Sequence, residues 1–307
     1  MPMLDFRVET FLAVCRHMNF TKAARELNIT QPAVSHHMHY LEQAYGTALF
    51  QHNGKRLQLT EEGEILRRTL MTMKHDEQHL QKRMQQVVSG TRDYSFGATL
   101  SVAEFMINEA LGRFLRLHPD SHIQMQVADT KVLLSKLDSG ELDFAVVEGD
   151  FPKAEYDFFV FGTEEYVAAA APDKAARYRG RQLTQLLGEP LLLREEGSGT
   201  RVILEYYLKE RCLAAADFAR TVEIGNIGAI KTLLKSGYGV SFLYRAAIRP
   251  EEAAGTLGVI ELSDFQLRHD IMFLFPKNSN FRADYTTIFQ ELRACAQADG
   301  VCVCPEA

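Results

Sequence analysis

The 307-residue chain has no apolar run approaching the roughly 20 residues that a membrane-spanning helix needs, so no membrane contact is expected. Its start, MPMLDFRVETF, lacks a basic patch followed by a continuous apolar segment. A secretory signal is therefore not expected, which argues against a secreted solute-binding protein. Cysteine is scarce. Cys15, Cys212, Cys295, Cys302 and Cys304 make an odd set without framework spacing, as suits free thiols in a reducing cytoplasm. Cys302 and Cys304 could hold a metal or form a redox pair, but one Cys-x-Cys near a chain end reads more simply as inert thiols. Enzyme signatures are missing as well. GSGT at 197–200 is not followed by the lysine of a phosphate loop, and no GxGxxG opens the first β-α unit. After Gly90 the histidines are His118, His122 and His269, none in a nucleophile motif, and no His/Cys/carboxylate cluster is tight enough for a metal. Neither catalysis nor a bound metal is expected.

A surplus of positive charge is also lacking, since the net charge is −6. The deficit is uneven. Of 34 Lys and Arg, 11 precede residue 91, against 9 of the 40 Asp and Glu. Seven of the ten histidines lie in that stretch too. The acidic surplus belongs to the C-terminal part, which leaves the N-terminal part free to meet phosphates.

Within that part, Phe6, Phe11, Leu12, Val14 and Cys15 recur at helical spacing. Thr21 is placed to cap a second helix, KAAREL, whose small Ala23 and Ala24 allow a close, steep helix crossing. Thr30 can cap a third helix with Pro32 in its first turn, where a missing N–H costs nothing. Val34, Met38, Leu41 and Tyr45 form its inner stripe, and Gly46 ends it. His36, His37 and His39 are expected on its polar side. Asn53-Gly54 signals a hairpin turn, with Leu57 and Leu59 alternating beyond it. This is the pattern of a winged helix-turn-helix. Its candidate DNA contacts are Thr30, Gln31, Pro32, Ser35, His36 and His39 on the third helix, with Lys55 and Arg56 at the wing. A packing module whose third helix merely faces water is the plainer reading.

Residues 60–90 contain no proline and read as one long helix. Leu66, Leu70, Met73, Glu77, Leu80, Met84 and Val87 step alternately by four and three, a coiled-coil seam interrupted at Glu77. Leu66, Leu70, Met73, Leu80, Met84 and Val87 are the expected dimerisation contacts. A twofold pair would read two half-sites where one helix touches few bases.

After SGTRD the pattern changes to alternating strands and helices, begun near Tyr94 and again near Gly162, which predicts an α/β fold of parallel-rich sheets covered by helices. VAEFMINEALGRFLRLHP reads as one amphipathic helix. A DIMFLFPK strand and a YTTIFQELRACA helix are expected to return to the first lobe. Two lobes joined by crossing strands make a cleft at the strand ends. Thr99, Leu100 and Ser101 open one helix there, and Gly197, Ser198, Thr200 and Arg201 another, where free N–H groups, hydroxyls and charge favour an anion. Thr130 and Asn226 follow strands at the same rim. These nine residues are the candidate effector site; some such turns are only helix caps.

The stretch FLAVCRHMNFTKAARELNITQPAVSHHMHYLEQAYGTALFQHNGKRLQLTEEGEIL resembles the DNA-binding domain of LysR-type transcriptional regulators. The resemblance implies a winged DNA-binding domain (1–60), a dimerising linker helix (61–90) and an effector-binding domain (91–307) like a type 2 periplasmic binding protein. Lobe I would comprise 91–161 and 266–307, and lobe II 162–265. It aligns Gln31, Pro32, Ser35 and His36 with major-groove contacts and Arg56 with the wing contact. His36 and His52 stand where the family often has arginine. Because histidine ordinarily titrates near 6.5, operator binding is expected to tighten as pH falls from about 8 to 6. LLREEGSGTR is similar to members that control sulfur assimilation or carbon fixation. The implied effector is a small anionic co-inducer: an oxyanion, a carboxylate or a phosphorylated metabolite. The implied partners are promoter DNA, a second copy of the chain in a dimer or tetramer, and RNA polymerase.

Overall fold

The computed structural model describes residues 4–54 and 56–297; Lys55, Cys302 and Cys304 lie outside them. The chain begins with α1 (Phe6–His17), α2 (Phe20–Glu26) and α3 (Gln31–Tyr45), followed by β1 (Phe50–Asn53), β2 (Arg56–Leu59) and the long α4 (Glu61–Ser89). The helix starts follow the capping rule. Asp5 accepts from the Arg7 amide, Asn19 from Lys22 and Thr30 from Ala33. The second cap is Asn19 rather than the expected Thr21. Starting two residues earlier brings Phe20 into the helix, where its ring packs edge-on against Phe50 with centroids 5.8 Å apart. Gly46 ends α3 in the left-handed region at φ 69°. Phe11, Val14, Ala23, Val34, Met38 and Leu49 close the core, and β1 and β2 pair antiparallel as the wing.

Two α3 expectations change. Tyr45 is exposed on the last turn rather than part of the inner stripe. His37 leaves the polar side: three residues after Val34 and four before Leu41, it turns toward α1. Its Nδ1 lies 3.0 Å from Thr10 Oγ1, and its ring meets Phe6 at 5.0 Å.

The expected seam on α4 is divided. Leu66 and Leu70 are buried in the winged head, because the first turns of α4 press Gly63 against the Leu49 carbonyl and complete that core. Met73, Met84 and Val87 are exposed, and Leu80 is half-buried. Between them a polar face docks on the chain's own C-terminal part, burying His75, Asp76, Glu77 and His79. Glu77 is thus no lone polar break in an apolar seam. Asp76 accepts from Ser279 Oγ, from the Asn280 amide at 2.9 Å and from Asn280 Nδ2 at 2.8 Å. His75 Nε2 lies 2.9 Å from the Leu142 carbonyl, and Lys82 donates to Asp143 at 2.9 Å.

The C-terminal part runs β3 (Arg92–Ala98), α5 (Leu100–Phe105), α6 (Asn108–Leu117), β4 (Ser121–Val127), α7 (Thr130–Ser139), β5 (Phe144–Val147) and β6 (Tyr156–Ala170). It continues through α8 (Pro172–Tyr178), β7 (Pro190–Leu193), α9 (Gly199–Lys209), β8 (Arg220–Glu223), α10 (Ile227–Lys235) and β9 (Val240–Tyr244). The last elements are α11 (Arg245–Ala253), β10 (Gly258–Ile260), β11 (Leu267–Pro276) and α12 (Arg282–Gln297). The strand order is β4-β3-β5-β11-β6-β9-β7-β8, with β10 beside β6. Two parallel triplets, β4-β3-β5 and β9-β7-β8, are joined through the antiparallel β6 and β11. The register between those crossing strands shifts at Ile271/Met272, opposite Gly162 and Val160. This is the two-lobed α/β architecture expected. The first amphipathic segment, however, is two helices. A straight helix would point Met106 and Ile107 about 100° apart; the break between α5 and α6 lets both bury.

Candidate DNA-reading face and interlobe cleft

On the winged head, Thr30, Gln31, Pro32, His36, His39 and Arg56 are exposed and Ser35 is half-buried. Gln31 Nε2 donates to Ser35 Oγ at 2.9 Å, so the two side chains stand together at the start of α3. His39 pairs with Gln43 one turn on, at 3.0 Å. A glutamine so placed offers a donor and an acceptor to an adenine edge. His37 does not join this face, and burial, with Arg7 and His36 beside it, holds its imidazole below the ordinary histidine range.

In the C-terminal part the structure brings together some of the residues that sequence singles out and not others. Thr99 caps α5 and Ser101 lies in its first turn; both are buried, and Leu100 between them is half-buried. Across the cleft, Ser198 caps α9, its Oγ lies 2.8 Å from Thr200 Oγ1, and Tyr166 donates to the Thr200 carbonyl at 2.7 Å. Gly197 is exposed at φ 91°, a conformation that favours glycine and turns the chain into α9. Thr130 packs its hydroxyl against Gly149, where a Cβ would collide with it.

Two candidates stand apart. Arg201 directs its guanidinium to Glu205 and Glu223, both at 2.7 Å, and to the Arg194 carbonyl at 3.2 Å. Glu205 lies one turn further along α9 and Glu223 ends β8. Asn226 is exposed and uses its Oδ1 to cap α10 through the Ala229 amide at 2.9 Å.

At the centre is a residue the sequence reading did not single out. Glu148, directly after β5, is 3% exposed and accepts hydrogen bonds from Thr99 and Ser101 on one lobe. Its Cγ and Oε1 are 3.5 Å from where a Cβ on Gly199 would stand, so it lies against the first turn of α9 on the other lobe. Burial pushes its carboxyl up to about 7, against the pull of Ser101 and the positive charge of Arg194. Arg194, also buried, binds Glu195 through two hydrogen bonds of 2.6 and 2.7 Å. Tyr244, at the end of β9, reaches His269 Nδ1 at 3.3 Å; burial holds this imidazole below its ordinary range. A cavity of about 290 Å³ opens beside Gly149, with Asp150, Thr163 and His269 in its wall. The only sequence signal for Glu148 is its position, an acid ending a continuous apolar strand at the rim of a sheet.

Two family descriptions cover nearly all of the chain. "Bacterial regulatory helix-turn-helix protein, lysR family" matches residues 7–64, and "LysR substrate binding domain" matches 90–296. The chain belongs to the LysR family. It is accordingly a DNA-binding transcriptional regulator with an effector-binding domain, not an enzyme. A RuBisCO operon transcriptional regulator of Acidithiobacillus ferrooxidans is 28% identical over 96% of this chain and 94% of that protein. The HTH-type transcriptional regulator CfxR of Cupriavidus necator is 30% identical, over 84% of this chain and 80% of that one. Among solved structures, the Synechocystis CcmR regulatory domain in complex with 2-PG superposes with a TM-score of 0.60 at 20% identity, covering 67% of this chain and 98% of that one. No helix among the described residues is long and apolar enough to cross a membrane.

Proposed function

We propose that this LysR-family regulator is a cytoplasmic homodimer, pairing further into a tetramer, that responds to a small anion held between its two lobes. The anion is an oxyanion, a carboxylate or a phosphorylated metabolite. What supports this reading is that hydroxyl-bearing helix starts lie on both lobes, Thr99 and Ser101 opening α5 and Ser198 and Thr200 opening α9, with Glu148 in contact with both starts and the charge of buried Arg194 acting on it. Leu100, Thr130 and Gly197 shape the same rim. The solved relative bound to 2-PG lends support.

The unit boundaries in this reading are 1–60 for DNA, 61–90 for the linker and 91–307 for the effector. The exposed Met73, Met84 and Val87, with half-buried Leu80, form the dimer contact along α4. Two α3 helices then enter successive major grooves, with Gln31, Pro32, Ser35 and His36 toward the bases and Arg56 toward the backbone. The anion favours one arrangement of the lobes, the docked α4 transmits it, and the reading heads and their contact with RNA polymerase change. A ligand shifts such an equilibrium only by its differential affinity for the two arrangements.

A thermal-shift screen of sulfate, phosphate, carboxylates and sugar phosphates, run beside retardation of the promoter fragment next to the protein's own gene, tests the reading. One anion class should stabilise the protein. Ser198→Ala should abolish that shift while DNA retardation, steeply salt-dependent, survives. A shift that persists in the variant, or no stabilising anion at all, counts against the cleft.

A further inference from the structure

Glu148 places a negative group where the reading above seats an anion. Its carboxylate takes the hydroxyls of Thr99 and Ser101 from one lobe and lies against Gly199 of the other, so the hydroxyls that open α5 already serve an acid of the chain itself. A fully ionised ligand brought here would repel Glu148 and leave the remaining lone pairs of that carboxylate without a donor. Both costs are large in a site shielded from water. An anion that keeps a proton on one of its own oxygens does the reverse: it donates to Glu148 and turns repulsion into a charge-assisted hydrogen bond.

We propose that Glu148 determines effector specificity, selecting an oxyanion that carries its own acidic proton, such as hydrogen phosphate or a singly ionised phosphate ester, over a proton-free one such as sulfate. The inference rests on the reading that the effector is an anion in this cleft.

The surroundings leave this role to Glu148. Arg194 is the cation whose charge acts on it. Tyr244, held well above its usual value by burial and by Glu148 itself, stays neutral, as does buried Tyr166, raised by burial. Glu164 acts on Tyr244 and is paired with Arg249, and His269 lies beyond Tyr244. With its carboxyl raised to about 7, Glu148 is largely ionised at pH 8 and largely protonated at pH 6. Protonated, it can donate to sulfate, and the discrimination fades.

Isothermal titration of the full-length protein with inorganic phosphate and with sulfate, at pH 8 and pH 6 and constant ionic strength, reads this directly. Phosphate keeps a P–OH at both pH values. The wild type should favour phosphate by about tenfold or more at pH 8, from one hydrogen bond to a charged group. The ratio should fall toward one at pH 6. In Glu148→Gln, of nearly the same shape, it should lie near one at both pH values, through a gain in sulfate binding at pH 8. Glu148→Asp, which keeps the charge, should retain the preference and so separates selection from general damage to the cleft. Equal binding of both anions by the wild type at pH 8, or a preference unchanged in Glu148→Gln, overturns the selection while leaving the anion reading intact. If neither anion binds at either pH, the anion reading and the selection fall together.

Discussion

Acidification should loosen the docking of α4 on the effector domain through His75. This imidazole is 2% exposed; its Nε2 donates to the Leu142 carbonyl at 2.9 Å, and its Nδ1 lies 3.4 Å from Tyr285 Oη. Burial depresses it to about 4, outweighing the Leu142 hydrogen bond and nearby Asp143. Undocking would wet the ring and return it toward its ordinary value near 6.5. The undocked state therefore binds more protons between pH 6.5 and 4, and docking weakens as pH falls through that window. From pH 7 to 4.5 the loss is about 2–3 kcal/mol, or roughly sixtyfold in the docking equilibrium. The Asn280 amide donates to Asp76 across this contact, so its hydrogen exchange reports undocking. After correction for intrinsic rate, its protection should fall by about that factor. His75→Gln keeps a donor for Leu142 and cannot titrate, so its protection should change much less. The comparison also subtracts Asp138, whose carboxyl burial pushes up to about 6 and which acts in the opposite sense. A pH response equal in wild type and variant would refute the reasoning.

Asp76→Ala removes three hydrogen bonds at the same contact and should weaken docking by about 2–4 kcal/mol, visible as a lower midpoint in thermal unfolding at constant pH. Gly63→Ala drives a Cβ into the Leu49 carbonyl, which belongs to the backbone and cannot swing aside. It should destabilise the winged head by about 1–3 kcal/mol in thermal unfolding. Gln31→Ala should lose about 1–3 kcal/mol of discrimination at one base position of the operator, measured by competition between operator variants. Arg56→Ala should weaken binding uniformly across sequences and lower the salt slope by about one.

The winged head was legible because each device in it is local. Asn53-Gly54, Thr30 with Pro32, and Gly46 act on neighbours within a turn, and an apolar stripe states which face is inside. The polarity of His37 suggests exposure, but its spacing from Val34 and Leu41 turns it inward toward Thr10 and Phe6. The α4 seam departs from the sequence expectation for a related reason. The four-and-three step records that a face is covered but not by what, and here the winged core takes Leu66 and Leu70 while the effector domain takes the polar middle. Glycine and hydroxyl patterns mark Thr99, Ser101, Ser198 and Thr200 as helix starts, and the fold sets them at the starts of α5 and α9. The pairing of Arg201 is not legible in the sequence, because its partners Glu205 and Glu223 come from the next helical turn and a different strand. Glu148 was invisible because its significance comes from burial between lobes, and only the folded chain brings Gly199 against it.

Footprinting of the full-length protein on the promoter fragment beside its own gene, with and without the stabilising anion, is the most direct test of coupling between cleft and reading heads. Two protected half-sites whose spacing or intervening bend changes with the anion, and which cease to respond in Ser198→Ala, are predicted. A footprint that stays the same at saturating anion would contradict control of DNA reading from the cleft.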